Sequence, residues 1–258
     1  MLNRVREMWQ QRRNRESLYS TAAYWDSKAE TLKGKAVSMW PNNHLNALYE
    51  REAEAVIRRF LGDVRGRSIL DLGCGTGRMS RWFAAQGARV VGVDFSAGAL
   101  AIAKGESVGD NPSYRLGSIF ELADENAYDI VFAWGVVTTA CREESQVLDA
   151  LVRIRRSLRD GGKLLLTEPI HKGFLHRVLD MDLHSFLGVM RKAGFDLTAT
   201  APMHFWPARL TLSYVQWPAW LTRPVYWIGQ GAMRLPGLSR LGDYWAILAT
   251  PAASARAG

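Results

Sequence analysis

The sequence predicts an α/β fold built on a doubly wound, mostly parallel sheet of seven strands. Strand-like apolar runs alternate with helical segments between residues 68 and 168, which is typical of parallel βαβ units. A glycine-rich turn, GCGTG at 73–77, joins the first of these strands to the helix that follows it. The chain has 258 residues, 48% of them hydrophobic, which is enough to bury both faces of such a sheet. Ligands of these sheets bind at the carboxyl ends of the strands.

The individual elements follow from the spacing of apolar residues. Short runs rich in Val, Ile and Leu predict seven strands, at 68–72, 89–94, 113–118, 128–134, 163–168, 196–205 and 243–250. Apolar residues that recur every three or four positions predict helices, at 47–61, 78–87, 97–106, 143–158 and 182–194. Glycines end several of these segments, and the RDGG sequence predicts a turn before the fifth strand.

The same patterns divide the chain into a core and its appendages. An N-terminal helical lid at 1–46 precedes the α/β core at 47–205. An aromatic-rich insertion at 206–241 separates that core from its last strand at 242–250. The small residues of 251–258 predict a flexible tail.

Charge and cysteine content bear on partners and location. The formal net charge is +8 at pH 7, but the basic residues are dispersed, so we expect no nucleic-acid partner. Two cysteines, Cys74 and Cys141, occur without CxxC or HxxxH spacing, so we expect neither a disulfide framework nor a metal site. The opening residues lack the apolar stretch of a signal peptide, and no segment reads as a membrane span. We therefore expect a cytoplasmic protein, with peripheral membrane contact left open.

The glycine turn is the strongest functional signal. Gly73, Gly75 and Gly77 follow Asp71, which lies at the end of the first strand. Glycine lets a ligand approach the main chain closely, and such a turn is expected to point free N–H groups at the ligand. A dinucleotide turn would need a glycine where Arg78 stands, and a phosphate loop would need GKS or GKT. A tight turn without any ligand is the structural alternative.

The stretch LDLGCGTG, in register with the elements that follow, resembles the first motif of the class I S-adenosylmethionine-dependent methyltransferases, and the resemblance covers about 65–170. It implies a Rossmann-like fold and S-adenosylmethionine as methyl donor, with S-adenosylhomocysteine as product and no metal. Asp94, which ends the second strand, is expected to bind the ribose hydroxyls, with a helix N-cap as its alternative role, and Phe95 is expected to lie against the adenine. Ser118 stands where the family commonly has an adenine-binding Asp. The full set of expected cofactor residues is Asp71, Gly73, Cys74, Gly75, Gly77, Asp94, Phe95, Ser118, Ile119 and Trp134.

Acceptor-side residues are expected near the ends of the fourth and fifth strands. Thr138 and Thr139 stand where relatives often have histidines, so they are predicted to position the acceptor, with helix capping as the alternative. His171 is the candidate general base, because imidazole exchanges protons near neutral pH; a structural histidine is the alternative. Tyr24 and Trp40 of the lid are predicted to contact the acceptor, or else to pack on the core.

The segment 206–241 has an unusual composition, with four tryptophans, two tyrosines, four arginines and no acidic residue. Three interpretations stay open: a cap over a hydrophobic acceptor, a membrane-contacting element, or a homodimer interface.

These observations predict S-adenosylmethionine-dependent methyl transfer to a small, hydrophobic or aromatic acceptor, on O, N or C. One alternative is a lipid or quinone-like acceptor at the membrane surface. Another is a catalytically idle, S-adenosylmethionine-binding regulatory subunit. An RNA acceptor is disfavoured, because no NPPY or DPPY motif follows the fourth strand.

Overall fold

The computed structural model describes residues 21–31 and 40–253, and it confirms the predicted seven-stranded sheet. The strands are β1 (Ser68–Leu72), β2 (Arg89–Asp94), β3 (Ser113–Leu116), β4 (Tyr128–Trp134), β5 (Leu158–Glu168), β6 (Phe195–Phe205) and β7 (Gly242–Pro251). The helices in these residues are α1 (Ala22–Thr31), α2 (Asn43–Leu61), α3 (Arg78–Ala85), α4 (Ala97–Gly105), α5 (Val137–Ala140), α6 (Glu144–Ser157), α7 (Leu183–Lys192), α8 (Trp206–Leu212) and α9 (Ala219–Met233).

The sheet has the order β3-β2-β1-β4-β5-β7-β6. The pairs among β1 to β5 are parallel, whereas β7 is antiparallel to both of its neighbours. The first residues of β7 therefore lie at the same edge as the last residues of β4, β5 and β6; Trp245, for example, pairs with Glu168. This edge is where a ligand is expected.

Helices cover both faces of the sheet, as predicted for a doubly wound fold. Apolar side chains of α6 and α7 pack on one face, and those of α2 and α3 pack on the other. The central strands β1 and β4 are buried almost throughout. Burial on both faces explains why these strands read as continuous apolar runs in the sequence.

Two element boundaries differ from the sequence prediction by more than one or two residues. Helix α2 begins at Asn43 rather than at 47, because the side chain of Asn42 accepts hydrogen bonds from the N–H groups of His44 and Leu45. Strand β5 begins at Leu158, so the predicted RDGG turn lies inside the strand. Leu158 pairs with Tyr128, and an irregularity in the register accommodates the extra residues.

The appendages pack against the core wherever the structure describes them. Helix α1 lies against α4, and α9 lies against α2 and β6. The predicted insertion at 206–241 consists of α8, α9 and a short 3₁₀ turn. Much of the predicted lid at 1–46 and most of the tail at 251–258 fall outside the described residues, so these domain boundaries stay predictions.

Gly229→Ala tests the contact between α9 and β6. A Cβ at Gly229 would lie 2.4 Å from Cδ1 of Phe205, close to the main chain of β6. We expect the free energy of unfolding to fall by about 1–3 kcal/mol, because the helix must move away from the strand. Gly231→Ala, in open space on the same helix, should leave stability unchanged or raise it by up to about 1 kcal/mol. Urea denaturation compares the two, and equal effects would contradict the packing.

Candidate active site

Two of the three turn glycines are required by contacts within the protein. A Cβ at Gly73 would lie 2.2 Å from Cγ2 of Val136, in the turn that follows β4. A Cβ at Gly77 would lie 2.3 Å from the hydroxyl oxygen of Tyr114. These glycines therefore let the turn after β1 approach neighbouring elements more closely than any other residue would allow.

Gly75 is different, because the space in front of it is open. Its φ is +54°, and no atom lies within 4 Å of the position that a Cβ would take. A flat ligand can therefore approach the main chain of the turn at this residue.

The expectation that the turn offers free N–H groups is wrong for its glycines and Cys74. The N–H groups of Gly73 and Cys74 donate to the carbonyl of Val93, at 2.7 and 3.1 Å. The N–H of Gly77 donates to the carbonyl of Cys74, and that of Gly75 donates to the carboxylate of Asp94. With these donors satisfied inside the protein, the turn suits close approach by a ligand more than recognition of a phosphate.

Asp94 connects the glycine turn to the turn that follows β2. One carboxylate oxygen accepts the N–H of Gly75 at 2.7 Å, and the other accepts the N–H of Ser96 at 2.9 Å. Burial raises the pKa of Asp94, although these hydrogen bonds act against the shift. A carboxylate can accept about four hydrogen bonds, so positions remain for the hydroxyl groups of a ligand.

Asp71, the first residue of the predicted motif, lies deeper in the protein. Its carboxylate accepts a hydrogen bond from the hydroxyl of Ser80 at 2.5 Å, which joins β1 to α3. Burial raises the pKa of Asp71 to about 6. Cys74 is also buried, with its side chain next to Gly92, so only its main chain belongs to the turn.

The other residues predicted to bind the nucleoside lie at the same edge of the sheet. Phe95 is partly exposed beside Asp94. The N–H of Gly117 donates to the carbonyl of Asp94 and so places Ser118 nearby, where its hydroxyl accepts the N–H of Phe120. The side chain of Ile119 is buried in the core, which leaves its main chain for any contact with a ligand.

Helix α1 reaches this region through Asp26. One of its carboxylate oxygens accepts the hydroxyl of Ser96 at 2.6 Å and the N–H of Gly98 at 2.9 Å. Tyr24 lies on the same helix, with its ring edge-on to that of Trp25. Its role in binding an acceptor stays a prediction.

Glu168 holds the turn after β4 and was given no such role by the sequence analysis. Its carboxylate accepts the N–H groups of Val136 and Val137 at 3.0 Å, and both the N–H and the hydroxyl of Thr138. Burial raises the pKa of Glu168 despite these bonds. The hydroxyl of Thr139 donates to the carbonyl of Gly135. Both threonine hydroxyls thus donate within the protein, and neither caps α5, whose N-cap is Val136 without a side-chain bond. The role of the threonines toward an acceptor stays a prediction.

An aromatic cluster occupies the edge formed by the ends of β4 and β6 and the start of β7. Trp134 lies half-buried in it, with the Arg78 guanidinium 5.0 Å from its ring centre. The ring centres of His204 and Tyr244 lie 6.0 and 6.5 Å from that of Trp134. The remaining members are Tyr49, Tyr226 and, half-buried at its outer side, Trp40. Of these residues, only Trp134 and Trp40 were predicted from the sequence to belong to the site.

His171 lies beside this cluster, in contact with Asp243. Its Nε2 lies 2.9 Å from the main-chain oxygen of Asp243 and 3.1 Å from a carboxylate oxygen. The same carboxylate forms ion pairs with Arg209 at 2.6 Å and Arg177 at 3.4 Å. Burial alone would raise the pKa of Asp243, but these cations and the hydrogen bond from His171 hold it well below its usual range. The role of His171 as a base stays a prediction.

The described residues contain neither a grouped set of metal ligands nor a membrane-spanning helix. Within 21–31 and 40–253, no three His, Cys, Asp or Glu side chains are grouped to hold a metal ion. In the same ranges no helix has the length and hydropathy needed to span a bilayer.

The seven-stranded sheet with its flanking helices has the Rossmann-like fold of the class I methyltransferases. Residues 69–162 match the family model of a methyltransferase domain. The match, which covers less than half of the chain, identifies this segment as a methyltransferase domain of the class I type.

Individual relatives resemble the chain in part. The chain is 33% identical over 152 residues to a ubiquinone biosynthesis O-methyltransferase from a Bradyrhizobium species, an alignment that covers 56% of each protein. It is 32% identical to a tRNA U34 carboxymethyltransferase from Shewanella frigidimarina, over 48% of this chain and 38% of the relative. The chain thus spans about half the length, or less, of these relatives. Magnesium protoporphyrin IX methyltransferase from Synechocystis, with S-adenosylhomocysteine bound, has the same fold, with a TM-score of 0.60 at 14% identity over 92% of this chain and 98% of that one.

Asp243→Asn tests the ion-pair network behind the aromatic cluster. The change leaves the buried Arg209 without its counter-charge, so we expect a loss of about 3–5 kcal/mol in the free energy of unfolding. The exposed Asp110 provides the control, and Asp110→Asn should change stability by less than about 0.5 kcal/mol. Urea denaturation at pH 7 measures both. A loss at Asp243 as small as that of the control would show that the ion pairs contribute little.

Proposed function

We propose that this protein transfers a methyl group from S-adenosylmethionine to a small, hydrophobic or aromatic acceptor. The observation that carries the proposal is the open space in front of Gly75, bordered by the buried carboxylate of Asp94. A nucleoside that lies against Gly75 brings its ribose hydroxyls to that carboxylate.

The residues at this edge fit the chemistry of S-adenosylmethionine. The cofactor carries no phosphate, which agrees with a turn in which the N–H groups of the three glycines and Cys74 are satisfied internally. It carries a net positive charge, and Asp26, Asp71 and Asp94 place three carboxylates around the turn. Asp94 would hold the ribose, Phe95 would lie against the adenine, and Trp134 would border the methionine end. When bound, the sulfonium supplies an electrophilic methyl group.

The aromatic cluster supports a hydrophobic or aromatic acceptor. Trp134 connects the two halves of the site, because the guanidinium of Arg78, next to the glycine turn, lies over one part of it and His204 lies near another. Planar side chains in this arrangement can hold a flat acceptor beside the cofactor. Orientation of this kind can lower the barrier to methyl transfer by several kcal/mol.

The names of the relatives point to different acceptors, a quinone precursor and a tRNA. We favour the small molecule because the aromatic residues at this edge are mostly buried, whereas bases of RNA stack on exposed aromatic side chains. A regulatory subunit without catalysis would bind the cofactor without forming any methylated product.

Asp94→Asn should weaken the binding of S-adenosylmethionine at least about tenfold, because the amide loses a charge and an acceptor oxygen at the ribose. Isothermal titration calorimetry measures the dissociation constant. Asp110→Asn is the matched control, because Asp110 is exposed and lies far from the glycine turn in the sequence. This variant should bind S-adenosylmethionine with the affinity of the unaltered protein. Unchanged affinity in Asp94→Asn would place the cofactor elsewhere.

Transfer itself is measured with methyl-labelled S-adenosylmethionine and separate pools of hydroxylated aromatics, quinol analogues and tRNA. The proposal expects label in an aromatic or quinol product and lower turnover in Asp94→Asn. Label in tRNA would show that the acceptor is RNA and not a small aromatic molecule. Cofactor binding without label in any pool would favour the regulatory alternative.

The outward face of α9 favours a second candidate, an acceptor taken from a membrane surface. Trp220, Trp227 and Ile228 are 76%, 61% and 71% exposed, on the side of the helix opposite to its contacts with α2 and β6. Arg223 and Arg234 are also exposed, and the segment 206–241 has no acidic residue. Exposed tryptophan and arginine without acidic side chains complement an anionic lipid surface.

Flotation with vesicles of phosphatidylcholine and phosphatidylglycerol tests this second candidate. We expect the protein to float with anionic vesicles, and the double variant Trp220→Ser, Trp227→Ser to lose at least about half of that binding because two interfacial anchors are removed. Leu116→Ser changes a side chain that is equally exposed on β3 and should float normally. Failure to float, or concentration-dependent dimerisation lost in the double variant, would identify this face as something other than a lipid contact.

A further inference from the structure

His204 is the most unusual polar residue of the aromatic cluster. It is almost completely buried at the end of β6, and its φ of +55° is rare for a residue other than glycine. Its main-chain N–H donates to Glu52 at 3.0 Å, which fixes this conformation. Neither ring nitrogen makes a well-aligned hydrogen bond with the described residues, although the main chain of Tyr49 passes close to the ring.

A buried hydroxyl without a hydrogen bond in the described residues lies beside it. The ring of Tyr49 stacks on that of His204, with the ring centres 4.1 Å apart and the planes 24° from parallel. Tyr49 is completely buried, and its hydroxyl makes no hydrogen bond within the described part of the chain. Tyr226, its neighbour, differs in this respect, because its hydroxyl lies 3.4 Å from the carboxylate of Glu52.

A buried hydroxyl without a partner, beside an imidazole with no bond other than to the main chain of Tyr49, is costly, since each group loses its bonds to water on folding. Native proteins keep such groups rarely, and a bound ligand is one reason to keep them. Phenylalanine fills the place of either side chain without this cost. The cluster reaches its half-buried rim at Trp134 and Trp40, and Trp134 is the residue that borders the proposed cofactor site.

We propose that the imidazole of His204 and the hydroxyl of Tyr49 form a polar subsite that binds a hydroxyl group of the acceptor. The inference rests on the proposed function, because it assumes that the acceptor enters beside Trp134. The acceptor is accordingly a hydroxylated aromatic compound. Its hydroxyl donates to a ring nitrogen of His204, while the Tyr49 hydroxyl donates to its oxygen.

The state of the imidazole suits this role. Burial lowers the pKa of His204 to about 3, so the ring is neutral at pH 7 and one nitrogen can accept a hydrogen bond. His171 is less suited, because its Nε2 already faces Asp243. His204 and Tyr49 are positioning residues in this proposal.

Calorimetry on protein saturated with S-adenosylhomocysteine tests the subsite with matched probes: phenol, catechol and 2-naphthol, each against its methyl ether. The unaltered protein should bind at least one hydroxyl compound about tenfold more tightly than its ether. Tyr49→Phe and His204→Phe should abolish that preference while binding S-adenosylhomocysteine normally. Tyr226→Phe removes a hydroxyl that has a partner and should keep the preference.

Thermal unfolding in the absence of a probe compound distinguishes the subsite from a purely structural role of Tyr49 and His204. The two roles predict opposite changes in melting temperature. The subsite predicts that Tyr49→Phe, and His204→Phe if it folds, melt at the same temperature as the unaltered protein or higher, because an unsatisfied group is removed. Tyr226→Phe should melt at a lower temperature.

Equal binding of hydroxyl compounds and ethers by the unaltered protein, or a lower melting temperature of Tyr49→Phe with the preference intact, would overturn the subsite. Either result can occur in a protein that binds S-adenosylmethionine and methylates an acceptor. Failure of the proposed function can be distinguished from failure of the subsite. In that case the protein would not bind S-adenosylmethionine or would form no methylated product.

Discussion

The buried carboxylate of Asp94 is the interaction on which the site depends. It joins the glycine turn to the turn after β2, through N–H groups that belong to different βα units. Its burial is unfavourable in isolation, as the raised pKa indicates, so the surrounding donors must hold it in place. A carboxylate fixed in this way can receive ribose hydroxyls without rearrangement of the protein, which reduces the entropic cost of binding.

The same principle recurs along the carboxyl edge of the sheet. Glu168 at the end of β5 holds the turn after β4 with four hydrogen bonds, and Asp243 at the start of β7 holds two arginines and His171. Three buried acids thus fix three neighbouring points along one edge of the sheet. The cofactor and acceptor regions that we propose lie between these rigid points, with Trp134 between them.

The fold was readable from the sequence because its strands are local apolar runs, such as SILDL and YDIVFAW, separated by helices of regular spacing. The start of α2 and the length of β5 could not be predicted from the sequence. They depend on the cap by Asn42 and on the pairing of Leu158 with Tyr128. The N–H groups of the glycine turn are used by Val93 and Asp94, which the motif alone does not reveal. The positions of Glu168, Asp243 and His204 follow from the antiparallel return of β7 and from α2, contacts between segments far apart in the chain.

The most direct test of this account is a crystal structure of the protein with S-adenosylhomocysteine. We expect the ribose oxygens within about 3.2 Å of the carboxylate oxygens of Asp94 and the nucleoside in contact with the main chain of Gly75. A ribose bound away from Asp94, with that carboxylate contacting only Gly75 and Ser96, would contradict the account.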